Sequence, residues 1–142
     1  MIAVIDTSVA VKWIFPDPKR EPGVGHALTL LQAVADGEVE PLQPPHWLAE
    51  VAAVVTRLDA GLAGEALDLL HAMELPTAED VEVYQRAAAI AAELDHHVFD
   101  TLYHAVALER GATLVSADRR YVRKATSLGR VVPLESWETV CV

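Results

Sequence analysis

Four acidic residues offer the clearest potential for chemistry in this sequence: Asp6, Glu50, Asp100 and Asp118. Asp6 directly follows the apolar run at residues 2–5, and Asp118 follows the mainly apolar run at residues 113–117. In open α/β sheets, ligands bind beyond the carboxyl ends of the strands. Several carboxylates gathered at such an edge form a set of oxygen donors that suits a hard cation. The sequence therefore predicts a metal site.

Each of these acids also has a purely structural interpretation. Asp6 and Asp118 are short acceptors ahead of predicted helices, where an N-cap is worth about 1 kcal/mol. Asp100 lies where a first-turn acid suits the helix dipole. Glu50 shares a helical face with Arg57, so it is either a solvated or ion-paired side chain or a site residue. Taken one at a time, the acids leave both interpretations open.

The sequence predicts alternating strands and helices around these acids. This is the pattern of a parallel sheet covered by helices. Strands are predicted at residues 2–5, 39–43, 113–116 and 130–134. Helices are predicted at residues 7–15, 24–35, 46–60, 62–73, 78–94, 98–110 and 118–128. We expect one α/β domain over residues 1–142, with a central parallel sheet of about five short strands flanked by helices.

Composition narrows the function classes. Hydrophobic residues make up 52% of the 142 residues, yet no apolar run approaches the ~20 residues of a membrane span. The first residues lack the basic flank of a secretory signal. Cys141 is the only cysteine, which excludes an internal disulfide and is compatible with a reducing compartment. We expect a cytoplasmic protein without a membrane partner.

The charge of the chain is unevenly distributed. The net charge of −10 by itself disfavours nucleic acid as a partner. Residues 110–130, however, hold six basic residues against one acid, Asp118, a local net charge of +5. The local field steers a charged ligand more than the net charge does. This basic cluster is either a solvated helix face or an RNA contact, for which the candidates are Arg119, Arg120, Arg123 and Lys124.

Four short segments carry the acids in a specific order. They are VIDTS around Asp6, WLAEV around Glu50, VFDTLYHA around Asp100 and LVSADRR around Asp118. In order and spacing they resemble the four motifs of PIN-domain ribonucleases, and the resemblance covers the whole chain. A single domain of this length is most similar to the VapC toxins of toxin–antitoxin pairs. Each segment is weak evidence alone, whereas all four in order are specific.

The resemblance implies hydrolysis of RNA assisted by Mg²⁺ or Mn²⁺, leaving 5′-phosphate and 3′-hydroxyl ends. The expected catalytic and metal-binding residues are Asp6, Glu50, Asp100 and Asp118. The three aspartates are expected to hold the cation directly or through water, and Glu50 to be a ligand or to position a water. Ser8 and Ser116 are expected to support them by hydrogen bonds. Such a cation lowers the pKa of the attacking water and neutralises charge on the phosphate.

The resemblance also implies partners. RNA is the expected substrate, with tRNA and rRNA as the classes to consider, and a cognate antitoxin is expected to inhibit the site with a basic tail. Family members commonly form homodimers. The alternative is a non-catalytic PIN-like module that binds a basic partner segment in the same acidic pocket. A phosphatase of the haloacid-dehalogenase type is disfavoured, because Asp6 is not followed by a second Asp two residues later.

Three further side chains have two interpretations each. His104 lies four residues after Asp100, on the same helical face, so it is either an additional metal ligand or a packed histidine. Trp13 and Tyr121 either stack on unpaired bases or belong to the core.

Overall fold

The computed structural model describes residues 1–141, and a four-stranded parallel sheet forms their centre. The strands are β1 (Ile2–Ile5), β2 (Glu40–Pro41), β3 (Thr113–Ser116) and β4 (Val131–Pro133). They lie in the order β2-β1-β3-β4, with every neighbouring pair parallel. The α/β class is confirmed, with four strands in the described residues instead of about five. β2 is shorter than the predicted strand at 39–43.

Helices cover both faces of this sheet. They are α1 (Thr7–Ile14), α2 (Val24–Ala35), α3 (Trp47–Leu58), α4 (Ala63–Ala72), α5 (Val81–Leu94), α6 (Val98–Arg110), α7 (Arg119–Ala125) and α8 (Trp137–Cys141). Gly111 ends α6 in the left-handed conformation at φ 62°, which glycine adopts without a Cβ clash. α8 lies beyond the last predicted element. No helix in residues 1–141 is both long and apolar enough to cross a membrane.

Alternation along the strands divides the core in two. Val4 of β1 and Leu114 of β3 belong to a cluster with α3, α4, α5 and α6. Their neighbours Ile5 and Val115 belong to a second cluster with α2 and the C-terminal residues up to Trp137. Successive side chains of a strand point to opposite faces, so strands buried on both faces read as continuous apolar runs. The last three residues of each middle strand are buried, which holds the carboxyl ends of these strands in place.

The parallel pairing of β1 with β3 brings distant parts of the sequence together. Ile5 is in register with Val115, and the Asp6 amide donates to the Val115 carbonyl at 3.1 Å. The residues that follow these strands, Asp6 and Ser116–Asp118, therefore share one edge of the sheet. This is the edge at which the sequence predicts a site.

A side chain completes the sheet where β2 stops. The fully buried Gln43 accepts from the Ile5 amide through Oε1 at 2.8 Å and donates from Nε2 to the Ile5 carbonyl at 2.8 Å. Its backbone forms an isolated parallel bridge with Thr77. The Gln43 amide thus takes the place of a peptide group beside the last residue of β1, immediately before Asp6.

Gln43→Leu nearly keeps the volume of the side chain but leaves the Ile5 N–H and C=O unpaired in the core. We expect the free energy of unfolding to fall by about 1–3 kcal/mol or more, the range for a buried unsatisfied polar group. Urea unfolding measures this, with Gln32→Leu on the exposed face of α2 as the matched control. Equal stabilities for the two variants would contradict this role.

Candidate active site

A cleft of about 480 Å³ opens at the carboxyl edge of β1 and β3, and all four predicted acids line it. Asp6 is the N-cap of α1, Asp118 is the N-cap of α7, and Glu50 and Asp100 lie in the first turns of α3 and α6. Four helices thus direct their N-terminal ends toward one cleft. The partial positive charge of a helix N-terminus stabilises a carboxylate there, which offsets part of the repulsion among the acids.

Asp6 is held by two serines. Its Oδ2 accepts from the Ser8 amide at 3.2 Å, from the Ser8 hydroxyl and from the Ser116 hydroxyl at 3.3 Å. Burial raises the pKa of the Asp6 carboxyl to about 6; the Ser8 hydrogen bonds oppose this rise, and the nearby charge of Asp100 adds to it. Because this pKa lies close to neutral pH, the approach of a cation or of another acid would change the protonation state of Asp6.

The same serines join the ends of β1 and β3. The Ala117 amide donates to Ser8 Oγ at 3.0 Å, and the Asp118 amide donates to Ser116 Oγ at 3.0 Å. Asp118 in turn caps α7 by accepting from the Tyr121 amide through Oδ1 at 3.1 Å. Asp6 and Asp118 each cap a helix and also line the cleft, so the structural and the site interpretation of these acids are compatible.

Glu50 and Asp100 each contact a histidine four residues earlier. His46 Nε2 lies 2.9 Å from Glu50 Oε1 and 2.7 Å from the Phe99 carbonyl. The His46 ring also packs against Phe99 at 5.8 Å between ring centroids. The partner that the structure gives Glu50 is thus His46 rather than Arg57, the ion-pair partner considered from the sequence.

The second histidine links Asp100 to the basic helix. His96 Nε2 lies 2.9 Å from Asp100 Oδ2, and its Nδ1 lies 3.5 Å from the Lys124 ammonium on α7. The ammonium can only donate, so Nδ1 accepts and Nε2 carries the proton toward Asp100. The sequence places His46 on the helical face of Glu50, whereas the contact of His96 with Asp100 was missed, although its spacing of four residues before an acid at a helix start was visible.

His104 and Tyr121 are packed in the interior, and Trp13 is half-buried against the core. His104 is fully buried, with Nδ1 3.0 Å from the Tyr121 hydroxyl and Nε2 2.8 Å from the Gly129 carbonyl. Burial lowers the pKa of His104, and both ring nitrogens are occupied. Tyr121 is 4% exposed, and Trp13 donates from Nε1 to the Ala27 carbonyl. Base stacking by Tyr121 was the wrong alternative, and Phe99 is the aromatic side chain exposed beside Asp100.

Of the four predicted RNA-binding residues, three are exposed and Lys124 is half-buried. Arg119, Arg120 and Arg123 are exposed on α7, which begins immediately after Asp118. Arg119 is 73% exposed and lies 3.3 Å from Glu135. Lys124 also donates to the Asp95 carbonyl at 3.0 Å. The basic side chains that line the acidic cleft itself are others, Lys12 and Arg57.

The donor set of the cleft fits a hard divalent cation. Carboxylate and hydroxyl oxygens suit Mg²⁺ or Mn²⁺, which retain waters and need few protein ligands. Among the side chains that the structure describes, residues 1–140, no three His, Cys, Asp or Glu are already arranged as ligands. Burial and a neighbouring acid raise the pKa of Asp6, and the positive charge of a bound cation would offset both effects by favouring the carboxylate.

The sequence matches the family model of the PIN domain over residues 3–126. The chain belongs to the PIN domain family. The family predicted from the four motifs is therefore confirmed. The candidate site of this PIN domain is the cleft at the carboxyl edge of the sheet, which all four acids line. No curated protein matches the chain in sequence.

Solved structures share the fold of this PIN domain. A toxin–antitoxin complex from Klebsiella pneumoniae superposes with a TM-score of 0.65 at 14% identity, over 93% of this chain and 97% of that chain. The VapBC2 structure from Rickettsia felis, bound to a promoter DNA fragment, gives 0.67 at 18% identity, over 94% and 98%. A protein from Pyrobaculum aerophilum gives 0.69 at 14% identity, over 99% and 95%. At these identities the likeness concerns the fold.

Asp6→Asn should change how stability depends on pH. The pKa of about 6 in the folded chain exceeds the ordinary aspartate pKa of 3.8, so the protonated form is favoured in the folded chain. The stability from Asp6 is fully present below about pH 4 and is lost as pH rises through 6. Asn still caps the helix. We expect the free energy of unfolding of Asp6→Asn, relative to the parent, to increase by up to about 3 kcal/mol between pH 4 and 8.

Urea unfolding in EDTA across this range measures the difference. Asp80→Asn is the matched control, because Asp80 is the N-cap of α5 and lies outside the cleft. A hydrogen bond from Arg110 lowers the pKa of Asp80. The stability that Asp80 contributes is therefore lost as pH falls, whereas the stability that Asp6 contributes is lost as pH rises. A difference for Asp6→Asn that does not change with pH would contradict the raised pKa.

Proposed function

We propose that this PIN domain is a Mg²⁺- or Mn²⁺-dependent endoribonuclease that acts as a VapC-type toxin. The observation that carries the proposal is the convergence of Asp6, Glu50, Asp100 and Asp118 in one cleft. Membership of the PIN family and the fold shared with chains of toxin–antitoxin structures support it. No Ser–His pair is needed for this chemistry, because oxygen ligands suffice to hold the cation.

The proposed roles follow from where the side chains lie. Asp6, Asp100 and Asp118 would hold the cation, directly or through water, and Glu50 would bind it or orient the attacking water. A bound cation supplies charge neutralisation at the phosphate and a water of lowered pKa. Ser8 and Ser116 would keep the Asp6 carboxylate oriented, since both hydroxyls reach its Oδ2. His46 and His96 would restrain Glu50 and Asp100 until the cation competes for these oxygens.

RNA is the proposed substrate, with tRNA or rRNA as the classes to test. Arg119, Arg120, Arg123 and Lys124 would hold its phosphates, because α7 presents them beside Asp118. An exposed cationic helix that follows a catalytic acid would bring the backbone of the strand to the cleft. We further propose that the protein acts in the cytoplasm and forms a homodimer.

Replacing the acids one at a time tests the proposal. Asp6→Asn, Asp100→Asn and Asp118→Asn should each lower single-turnover cleavage of RNA in Mg²⁺ or Mn²⁺ by about 10²–10³-fold, the loss typical of a group acting on the reacting charge. Glu50→Gln should lose as much or less. Each variant should remain folded, because amides replace the carboxylates with the same shape.

Two controls match these variants by their place in a helix. Asp80→Asn changes an N-cap outside the cleft, and Glu65→Gln changes a first-turn acid of α4. Both should cleave at the parent rate. An Asp6→Asn variant that cleaves as fast as the parent would reduce Asp6 to a helix cap. A parent that cleaves no RNA but binds a basic peptide in this cleft would favour the non-catalytic alternative.

An antitoxin is the proposed inhibitor. A cleft lined by four carboxylates would attract an Arg or Lys side chain from a basic tail, whose charge would replace that of the cation. We expect the product of a small gene immediately upstream to co-purify with this chain and to relieve growth arrest when the two are co-expressed. The control is Glu65→Gln, which should still be rescued. An upstream protein that neither co-purifies nor restores growth would contradict the pairing.

A further inference from the structure

One lysine is buried in the lining of the acidic cleft. Lys12 on α1 is 5% exposed. Among the side chains that the structure describes, it is the only buried Lys, Arg, Asp or Glu. Its Nζ lies 3.0 Å from Glu21 Oε2, with the two side chains 7% and 19% exposed. Burying an ion pair is weak evidence for stability, because desolvation offsets much of the attraction. The position of Lys12 therefore needs another explanation.

Lys12 lies between two cavities. It lines the acidic cleft together with Asp6, whose helix it shares. It also lines a second cavity of about 660 Å³, to which His26 and Arg119 contribute. Lys12 and Ala117 are the two residues common to both linings. A strand that left the acidic cleft over Lys12 would enter a space lined by His26 and Arg119 and by one acid, Glu135, which lies 3.3 Å from Arg119.

The negative charge of the cleft makes a contact between Lys12 and a phosphate important for RNA binding. Four carboxylates and Glu21 line it, so without a cation it repels phosphate. Arg57, the other basic residue of the lining, is exposed and therefore screened by water. A desolvated ammonium interacts more strongly with a phosphate than an exposed one does. The Glu21 carboxylate, which comes from the segment between α1 and α2, occupies the place of an anion beside it.

We propose that Lys12 binds a phosphate of the RNA strand next to the phosphate that is cleaved, and that Glu21 occupies the ammonium when RNA is absent. The inference rests on the proposed ribonuclease function and adds a phosphate subsite to it. Glu21 and the phosphate compete for one ammonium, so the two residues have opposite effects on RNA. Removing Lys12 weakens binding, and removing the charge of Glu21 strengthens it.

A purely structural ion pair makes a different prediction. If Lys12 and Glu21 only fix the segment between α1 and α2 against the domain, either single substitution disturbs the same contact. Both would then change RNA affinity in the same direction. Removing a cleft carboxylate also weakens the general repulsion of phosphate, so the salt slope of Lys12→Met, taken together with the sign of the effect of Glu21, separates the two explanations.

The test compares the full-length parent with Lys12→Met, Lys12→Arg, Glu21→Gln and the double variant Lys12→Met/Glu21→Gln. Binding of a fluorescent single-stranded RNA oligonucleotide is measured by anisotropy in Ca²⁺, over a series of salt concentrations, with unfolding curves for each variant. We expect Lys12→Met to bind about tenfold more weakly, the size of one charge-assisted hydrogen bond. The log–log salt slope should flatten by ~0.7, as for one lost single-strand phosphate contact.

The other variants complete the comparison. Lys12→Arg should bind like the parent, and Glu21→Gln should bind about two- to fivefold more tightly, because one competing charge is gone. The double variant should bind more tightly than Lys12→Met but more weakly than the parent, because it removes the unpaired charge of Glu21 without restoring the ammonium. Lys19→Met, an exposed lysine of the neighbouring segment, is the control and should leave affinity unchanged.

Three results would overturn the inference: an unchanged salt slope in Lys12→Met, weaker binding by Glu21→Gln, or a double variant that regains parent affinity. If the parent cleaves RNA while Lys12→Met binds like it, only the phosphate subsite fails. A parent that neither binds nor cleaves RNA would overturn the proposed function and the subsite together.

Discussion

The parallel pairing of β1 with β3 is the constraint on which the site depends. Ser116 and Asp6 are 110 residues apart in sequence, yet the Ser116 hydroxyl reaches the Asp6 carboxylate at 3.3 Å. Closing so long a loop opposes folding entropically, and the apolar burial on both faces of the two strands offsets that loss. Once Ile5 and Val115 are in register, the residues after them have to share the sheet edge. The Ser8 hydroxyl, which accepts from the Ala117 amide, and the Ser116 hydroxyl, which donates to Asp6, then cross-link the two strand ends.

The acids are stabilised by the same elements that bring them together. Each lies at the N-terminal end of a different helix and has a donor close to it: Ser8 for Asp6, His46 for Glu50, His96 for Asp100 and the Tyr121 amide for Asp118. Helix ends and local donors thus allow a cluster of like charges to form in the absence of a cation. The raised pKa of Asp6 shows that this compensation is incomplete at the most enclosed carboxyl.

The sequence by itself determined the elements and the family. The short apolar runs at 2–5 and 113–116 predict strands because both faces are buried, and Gly111 predicts the end of a helix because it adopts a positive φ. The order of the four acids, with their neighbours, identifies the PIN family. These features are local, so they are readable from spacing and residue type. Helix ends shifted by a few residues, as at α5, which begins at Val81 instead of 78.

Only the tertiary structure decided which polar side chains meet. The spacing from Asp100 allowed His104 to be a metal ligand. In the structure its two ring nitrogens instead contact Tyr121 and Gly129, which approach from other elements. β2 ends at Pro41, and Gln43 completes the edge in its place, because a side-chain amide can mimic a peptide group. Nothing in the pattern of α1 marks Lys12 as buried, since its burial depends on the segment that carries Glu21. Periodicity specifies the face of an element, whereas the desolvation of one polar group depends on what packs over that face.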